Sequence, residues 1–357
     1  MRSDLLVLIL SFLLLNSCSG HGKPDTVGEP VPMLGDTVTR LDGAVMTIFQ
    51  DAQGNMWFGG DEQGVYRYDG TTLIRYGTKD GLCSNAVLGI QEDKHGNIYF
   101  DTTEGICYFD GTRFVTLEVS DKGHGKWELH PDDLWFRMGW ESKGPYRYDG
   151  RTLFHVPFPK TDDEDNFRAL YPNASFEPYG IYSIYTDSKG HLWFGTSSVG
   201  VCHFDGSRPT WLYEQELTET PSGGAFGIRS ILEDKDGHFW FCTTKDRYTI
   251  LPGSTVVNGT SRMNYTKEAG ISGYPDGFEP YFQSMTEADN GDLWLVTYVD
   301  GIWRSSASGV QHYPIVDDDK EVTLFSSYKD QQGGIWVGSQ NAGAYRFMDG
   351  LFERFVP

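Results

Sequence analysis

The chain has 357 residues with 29 basic against 50 acidic side chains, and the resulting net charge of −21 excludes a partner gripped through a nucleic-acid phosphate backbone. Hydrophobic residues at 39% and aromatics at 15% supply a core, which excludes disorder as the main state. Glycine at 43 residues, about 12% against a usual ~7%, and recurring Asp-Gly pairs point to short strands joined by tight turns and away from an all-helical fold.

At the amino end, residues 1–17 hold Arg2, the apolar run LLVLILSFLLL over residues 5–15, then Asn16 and Ser17, the layout of a secretory signal peptide. Such a run is shorter than the ~20 residues that cross a bilayer as a helix. Leu15-Asn16-Ser17-Cys18 resembles a bacterial lipobox. That resemblance implies a lipidated Cys18 as the first mature residue, and Ser19 implies the outer membrane; plain secretion is the alternative. Residues 18–35, with Gly20, Gly22, Pro24, Gly28, Pro30 and Pro32, read as a flexible tether. No second apolar stretch approaches a membrane span, so attachment by lipid alone is expected, in the cell envelope and facing periplasm or cell surface.

Residues 36–357 repeat. An Asp, two residues, Gly, a polar residue, an apolar one and an aromatic recur as DAQGNMWF from Asp51, DKHGNIYF from Asp93, DSKGHLWF from Asp187, DKDGHFWF from Asp234 and DQQGGIWV from Asp330. HPDDLWF from His130 and ADNGDLWL from Ala288 are degenerate copies, and the aromatic anchors are Trp57, Tyr99, Trp135, Trp193, Trp240, Trp294 and Trp336. A second motif follows each anchor, clearest as GVYRYDG from Gly64, GICYFDG from Gly105, GPYRYDG from Gly144 and GVCHFDG from Gly200. Each unit predicts four strands, with Asp-Gly as the hairpin turn between the last two. Seven copies over residues 46–357 average about 45 residues, the period of a propeller blade. The expected fold is therefore all-β, a seven-bladed β-propeller of four-stranded antiparallel blades, with six or eight as the neighbouring counts. Residues 36–41 (DTVTRL) are expected to add a strand to the last blade near residues 351–356, closing the ring and removing exposed edges.

The run DGLCSNAVLGIQEDKHG over residues 80–96, echoed by FGIRSILEDKDG from Phe226 and joined to the RYDG hairpins, resembles the repeats of the bacterial two-component regulator propeller family. The resemblance covers nearly all of the mature chain. Members of that family commonly form the periplasmic sensor of hybrid histidine kinases that detect glycan breakdown products, so it implies a ligand-binding scaffold with an oligosaccharide as ligand. One propeller is expected to stand by itself, with no transmembrane helix, immunoglobulin-like module, kinase or DNA-binding domain expected after it. The expectation is a stand-alone envelope lipoprotein of sensor type, with an envelope protein or a sensor kinase as partner.

The turn aspartates read as caps of their own turns rather than calcium ligands, because no copy carries DxDxDG with a distant Glu. The anchors read as packing between blades. More informative are breaks in the repeat: after the WF pair, where Gly195-Thr196 is the preferred pattern, stand Asp101, Arg137, Cys242 and Val296. Trp140, Lys245, Arg247 and Tyr298 follow close behind. A cationic group beside a flat aromatic suits a saccharide, whose hydroxyls take planar donors while its C–H faces rest on rings. Arg137 with Trp140, and Lys245 with Tyr298, are the expected pairs, and Asp101, Arg229 and Arg247 complete the candidate ligand site; packing in loops is the alternative for each. Trp127, Tyr179 and Phe226 are candidates for the funnel lining. The long connections 157–180 and 213–227 are expected to wall the same face. No GxSxG, HExxH or GxxxxGK is present, and the nine histidines lack metal-ligand spacing, so no catalytic residue, metal or cofactor is expected. A protein-interaction scaffold is the alternative function, and a propeller lyase or glycoside-cleaving enzyme the third. Cys107 and Cys202 are expected as buried free thiols.

Overall fold

The computed structural model describes residues 34–219, 226–317 and 320–357. The D-x-x-G-x-x-W spacing is what starts each unit. Asp51 Oδ1 accepts the N–H groups of Gln53 (3.0 Å) and Asn55 (2.8 Å), which closes the turn, while Oδ2 accepts Trp57 Nε1 at 2.8 Å. Asp187 and Asp330 repeat this with Trp193 (2.9 Å) and Trp336 (2.8 Å). One carboxylate thus ties the turn to the core anchor six residues on, and Gly54 supplies the φ of 88° that the turn needs.

Each such turn joins the first two strands of an antiparallel meander. The first runs Thr47–Gln50, Met56–Gly59, Val65–Tyr68 and Leu73–Tyr76, with Trp57 opposite Arg67. Among the described residues six more follow, beginning at Val87, Leu134, Ile181, Ile231, Ser284 and Leu324, and the all-β propeller reading is borne out. Anchors pack across meanders: Trp57, 1% exposed, lies 5.6 Å from Phe100 and 6.0 Å from Phe109 of the second.

Three features depart from a plain repeat. Asp36–Val38 does not reach the last meander; it pairs antiparallel with Leu73–Tyr76 of the first, where Arg75 and Lys79 hold the Asp36 carboxylate at 3.1 and 2.6 Å. The ring closes instead by contact between complete meanders: Val45 N–H donates to Ser339 O (2.7 Å), Gly343 N–H to Gly43 O (3.0 Å), and Phe355 packs on Phe58 and Trp336. The third meander, from the shortened turn HPDDLWF, has three strands, Leu134–Phe136, Tyr146–Tyr148 and Leu153–His155, and lacks the inner one. The fifth carries a long hairpin, Thr243–Val257 with Thr260–Ala269, turned by Asn258-Gly259, and Trp211 bridges it to the fourth at Arg262. Helix Asp162–Leu170, in the connection 157–180, is tied to that hairpin through Arg262 and Thr260.

In the meanders where glycine follows the WF or WV pair, space requires it. A Cβ at Gly195 would stand 2.3 Å from Ile228 O and 2.3 Å from Ser183 Oγ, and one at Gly338 2.3 Å from Val45 O. Gly195→Ala is expected to destabilise the fold by about 1–3 kcal/mol through this overpacking, read as a lower urea midpoint at unchanged m-value.

Candidate functional site

A cavity of about 1010 Å³ runs between the inner edges of the meanders. At the third meander, which has no inner strand, Leu134 and Trp135 of the second-position strand line it directly. At the end where the inner strands begin, three of them carry a β-bulge. The register shifts between Val87 and Gly89, between Ile181 and Ser183, and between Leu324 and Ser326. The bulged residues Leu88, Tyr182 and Phe325 all line the cavity, as expected of a device that re-aims a side chain and frees its backbone from the ladder.

Arg137 takes up the freed carbonyls. Its Nη1 donates to Tyr182 O at 2.8 Å and its Nη2 to Leu88 O, so one guanidinium fork joins the second, third and fourth meanders. Asp101 stands 3.7 Å from Arg137 Nε and accepts the backbone N–H groups of Arg137 (2.9 Å) and Met138 (2.8 Å). Met138 keeps a φ of 49°, unusual for a side chain of its size, because that N–H is held. Asp101 and Arg137 fill the place that glycine holds in other meanders, and each bonds across to the next one. Burial raises the Asp101 carboxyl, opposed by Arg137 and the two N–H donors. Burial likewise disfavours the Arg137 charge, with Asp101 restoring it and Arg229 opposing it.

Around this core lies an aromatic and cationic cluster. Arg137 sits over Trp140 at 5.0 Å, Trp140 meets Tyr182 edge-on at 5.6 Å, and Arg229 sits over Tyr182 at 4.6 Å and Phe226 at 5.3 Å. Arg229 Nε donates to Phe226 O at 3.0 Å, and its guanidinium makes no salt bridge among the described residues. Burial again lowers its pKa.

The structure thus brings Asp101, Arg137, Trp140 and Arg229 together at the cavity. Tyr298 lies one ring away, 42% exposed and edge-on to Phe325 at 5.8 Å. Lys245 and Arg247 are elsewhere: both lie on the long hairpin strand, where Lys245 is exposed and Arg247 pairs with Glu268 at 2.8 Å, and neither lines the cavity or meets Tyr298. Trp127 and Tyr179 are absorbed by the aromatic core with Trp135, Phe158 and Trp211. Tyr182 and Phe325 were missed because a bulge is a relation between strands; the available signal was an aromatic on the inner strand where the second copy has Leu88. Among the described lining residues the carboxylates are Asp101 and Asp133, facing Arg137 and, at 2.9 Å, Arg147, and the histidine is His130. Cys107 and Cys202 are buried and free, and Cys83 N–H donates to Cys107 Sγ at 3.2 Å. Cys18, like the rest of 1–33, lies outside the described residues.

Residues 39–62, 175–198 and 227–245 match the family model described as two component regulator propeller. Among solved structures, the chain is similar to the extracellular domain of the putative one component system BT4673 from B. thetaiotaomicron, with 18% identity over 87% of this chain and 40% of that one at a TM-score of 0.58. It is similar also to the extracellular domain of the putative hybrid two component system BT3049 from the same organism (20% identity, 88% and 41% covered, TM-score 0.59) and to virginiamycin B lyase from Staphylococcus aureus (15%, 87% and 97%, 0.59). The chain spans about 40% of the length of these two extracellular domains. No curated protein gives a significant match.

Proposed function

We propose that this chain, which carries two component regulator propeller repeats on a propeller fold, is an extracytoplasmic binding module of sensor type that takes an oligosaccharide at the mouth of its central cavity. The carrying observation is the Trp140, Tyr182 and Arg229 cluster: rings offered to sugar C–H faces beside a guanidinium without a carboxylate partner among the described residues. That unpaired cation favours a uronate or sulfate group on the ligand. Lipid attachment at Cys18, with residues 1–17 removed, 18–35 as tether and 36–357 as propeller, rests on the lipobox-like LNSC and places the module in the envelope, where a sensor kinase or another envelope protein would receive the signal.

The test is thermal unfolding of the full chain against neutral and acidic oligosaccharides. A true ligand at 100-fold over its Kd stabilises by about 2.7 kcal/mol. The expected hit is an acidic sugar, kept by the turn variant Asp69→Asn and lost in Arg229→Ala and Trp140→Ala. A cooperative melt that no sugar moves overturns the reading. It would favour the protein-interaction alternative, for which the groove of about 440 Å³ beside Phe167 and Phe176, with Leu170 68% and Tyr171 42% exposed, is the supporting feature.

A further inference from the structure

The turn of the fourth meander brings two histidines to its aspartate, where the fifth has one, His238, 3.4 Å from Asp234. Opposite the anchor tryptophan, the third strand of the first, sixth and seventh meanders carries arginine: Arg67, Arg304 and Arg346 lie over Trp57, Trp294 and Trp336 at 5.9, 5.3 and 5.1 Å. Each reaches a polar group of its turn, Arg67 to Asn55 (3.2 Å), Arg304 to Asp292 (2.8 Å) and Arg346 to Asp330 (3.0 Å). In the fourth meander His203 stands opposite Trp193 with its ring 4.3 Å away, and His191 takes the turn position of Asn55. The buried Asp187 carboxylate, 3% exposed, is therefore left without the guanidinium that Asp330 has.

What faces it is a ligand set. His203 Nε2 and His191 Nδ1 are 3.3 Å apart, and His191 Nδ1 is 3.6 Å from Asp187 Oδ2. With bonds of ~2.05 Å, neighbouring donor atoms of a tetrahedral zinc site stand ~3.3 Å apart. Outer support is in place: Trp193 Nε1 donates to Asp187 Oδ2 at 2.9 Å, and Thr210 Oγ1 lies 3.5 Å from His203 Nδ1. The His191 side chain is 28% exposed and gives a route from solvent.

We propose that His191 Nδ1, His203 Nε2 and Asp187 Oδ2 bind a divalent transition metal of the zinc class, with the fourth position left to water. The ion supplies the positive charge that arginine supplies in the turns of the first, sixth and seventh meanders. Two imidazoles and one carboxylate select zinc, nickel or copper over calcium and magnesium. His191 closes the turn and His203 lies twelve residues on, on the strand paired with Leu192–Thr196, outside any local ligand spacing.

The test uses the full chain, stripped with a chelator. Zinc should raise its melting temperature, calcium should not, and cobalt should give the intense visible absorption of a tetrahedral site. His203→Arg and His191→Asn install the residues that sibling repeats use, so both are expected to melt cooperatively without metal, and both should lose the cobalt spectrum and weaken zinc binding at least tenfold. No zinc-dependent shift in the wild type, or a shift unchanged in both variants, overturns the proposal.

Discussion

Arg137→Ala is expected to lower the unfolding free energy by about 3–5 kcal/mol, the cost of removing one partner from a buried ion pair. Asp101, with its side chain 4% exposed, would keep its two backbone N–H donors but lose its cation, while the bulge carbonyls Tyr182 O and Leu88 O would lose their donors. Arg137→Lys keeps the charge but not the planar fork, and should recover less than half of the loss. Adding Asp101→Asn to Arg137→Ala should restore part of it, because the uncompensated charge is gone. Urea denaturation reads all four proteins; a loss below about 1 kcal/mol for Arg137→Ala would show that the fork is a surface decoration and not a joint between meanders. This structural duty is why the ligand test relies on Arg229 and Trp140.

Trp57→Ala is expected to cost about 3–5 kcal/mol, since it empties a fully buried indole volume between the first two meanders. Trp57→Phe retains a ring against Phe100 and Phe109 but removes the Nε1 donor to Asp51, for an expected loss of about 1–2 kcal/mol. The ratio separates packing from the turn hydrogen bond. Equal losses in both variants would mean that the Asp51 bond, and not the ring, holds the anchor.

Local devices were the legible part of this molecule. Asp51, Gly54 and Trp57 interact within seven residues, so their spacing alone reports turn, strand and anchor. The breaks at Asp101 and Arg137 stood out because a repeat provides its own reference, and the structure joins them directly. Relations between distant strands were not legible. The partner of Asp36–Val38 is fixed by Arg75 and Lys79, not by the repeat order. Tyr182 and Phe325 reach the cavity through bulges, which depend on pairing register. Lys245 and Arg247 leave the expected place because the ladder is interrupted between the Phe241–Thr243 and Phe239–Tyr248 pairs, and Arg247 pairs instead with Glu268 at the end of the long hairpin. His191 and His203 meet only because Trp193 and His203 are paired across neighbouring strands.

The most direct measurement of the binding account is a crystal structure of the full chain grown with the acidic oligosaccharide that stabilises it most. The account predicts sugar at the cavity mouth, with its acidic group on the Arg229 guanidinium and a ring face against Trp140 or Tyr182. Sugar seated instead in the groove beside Leu170, or on the outer hairpin near Arg247, would contradict it.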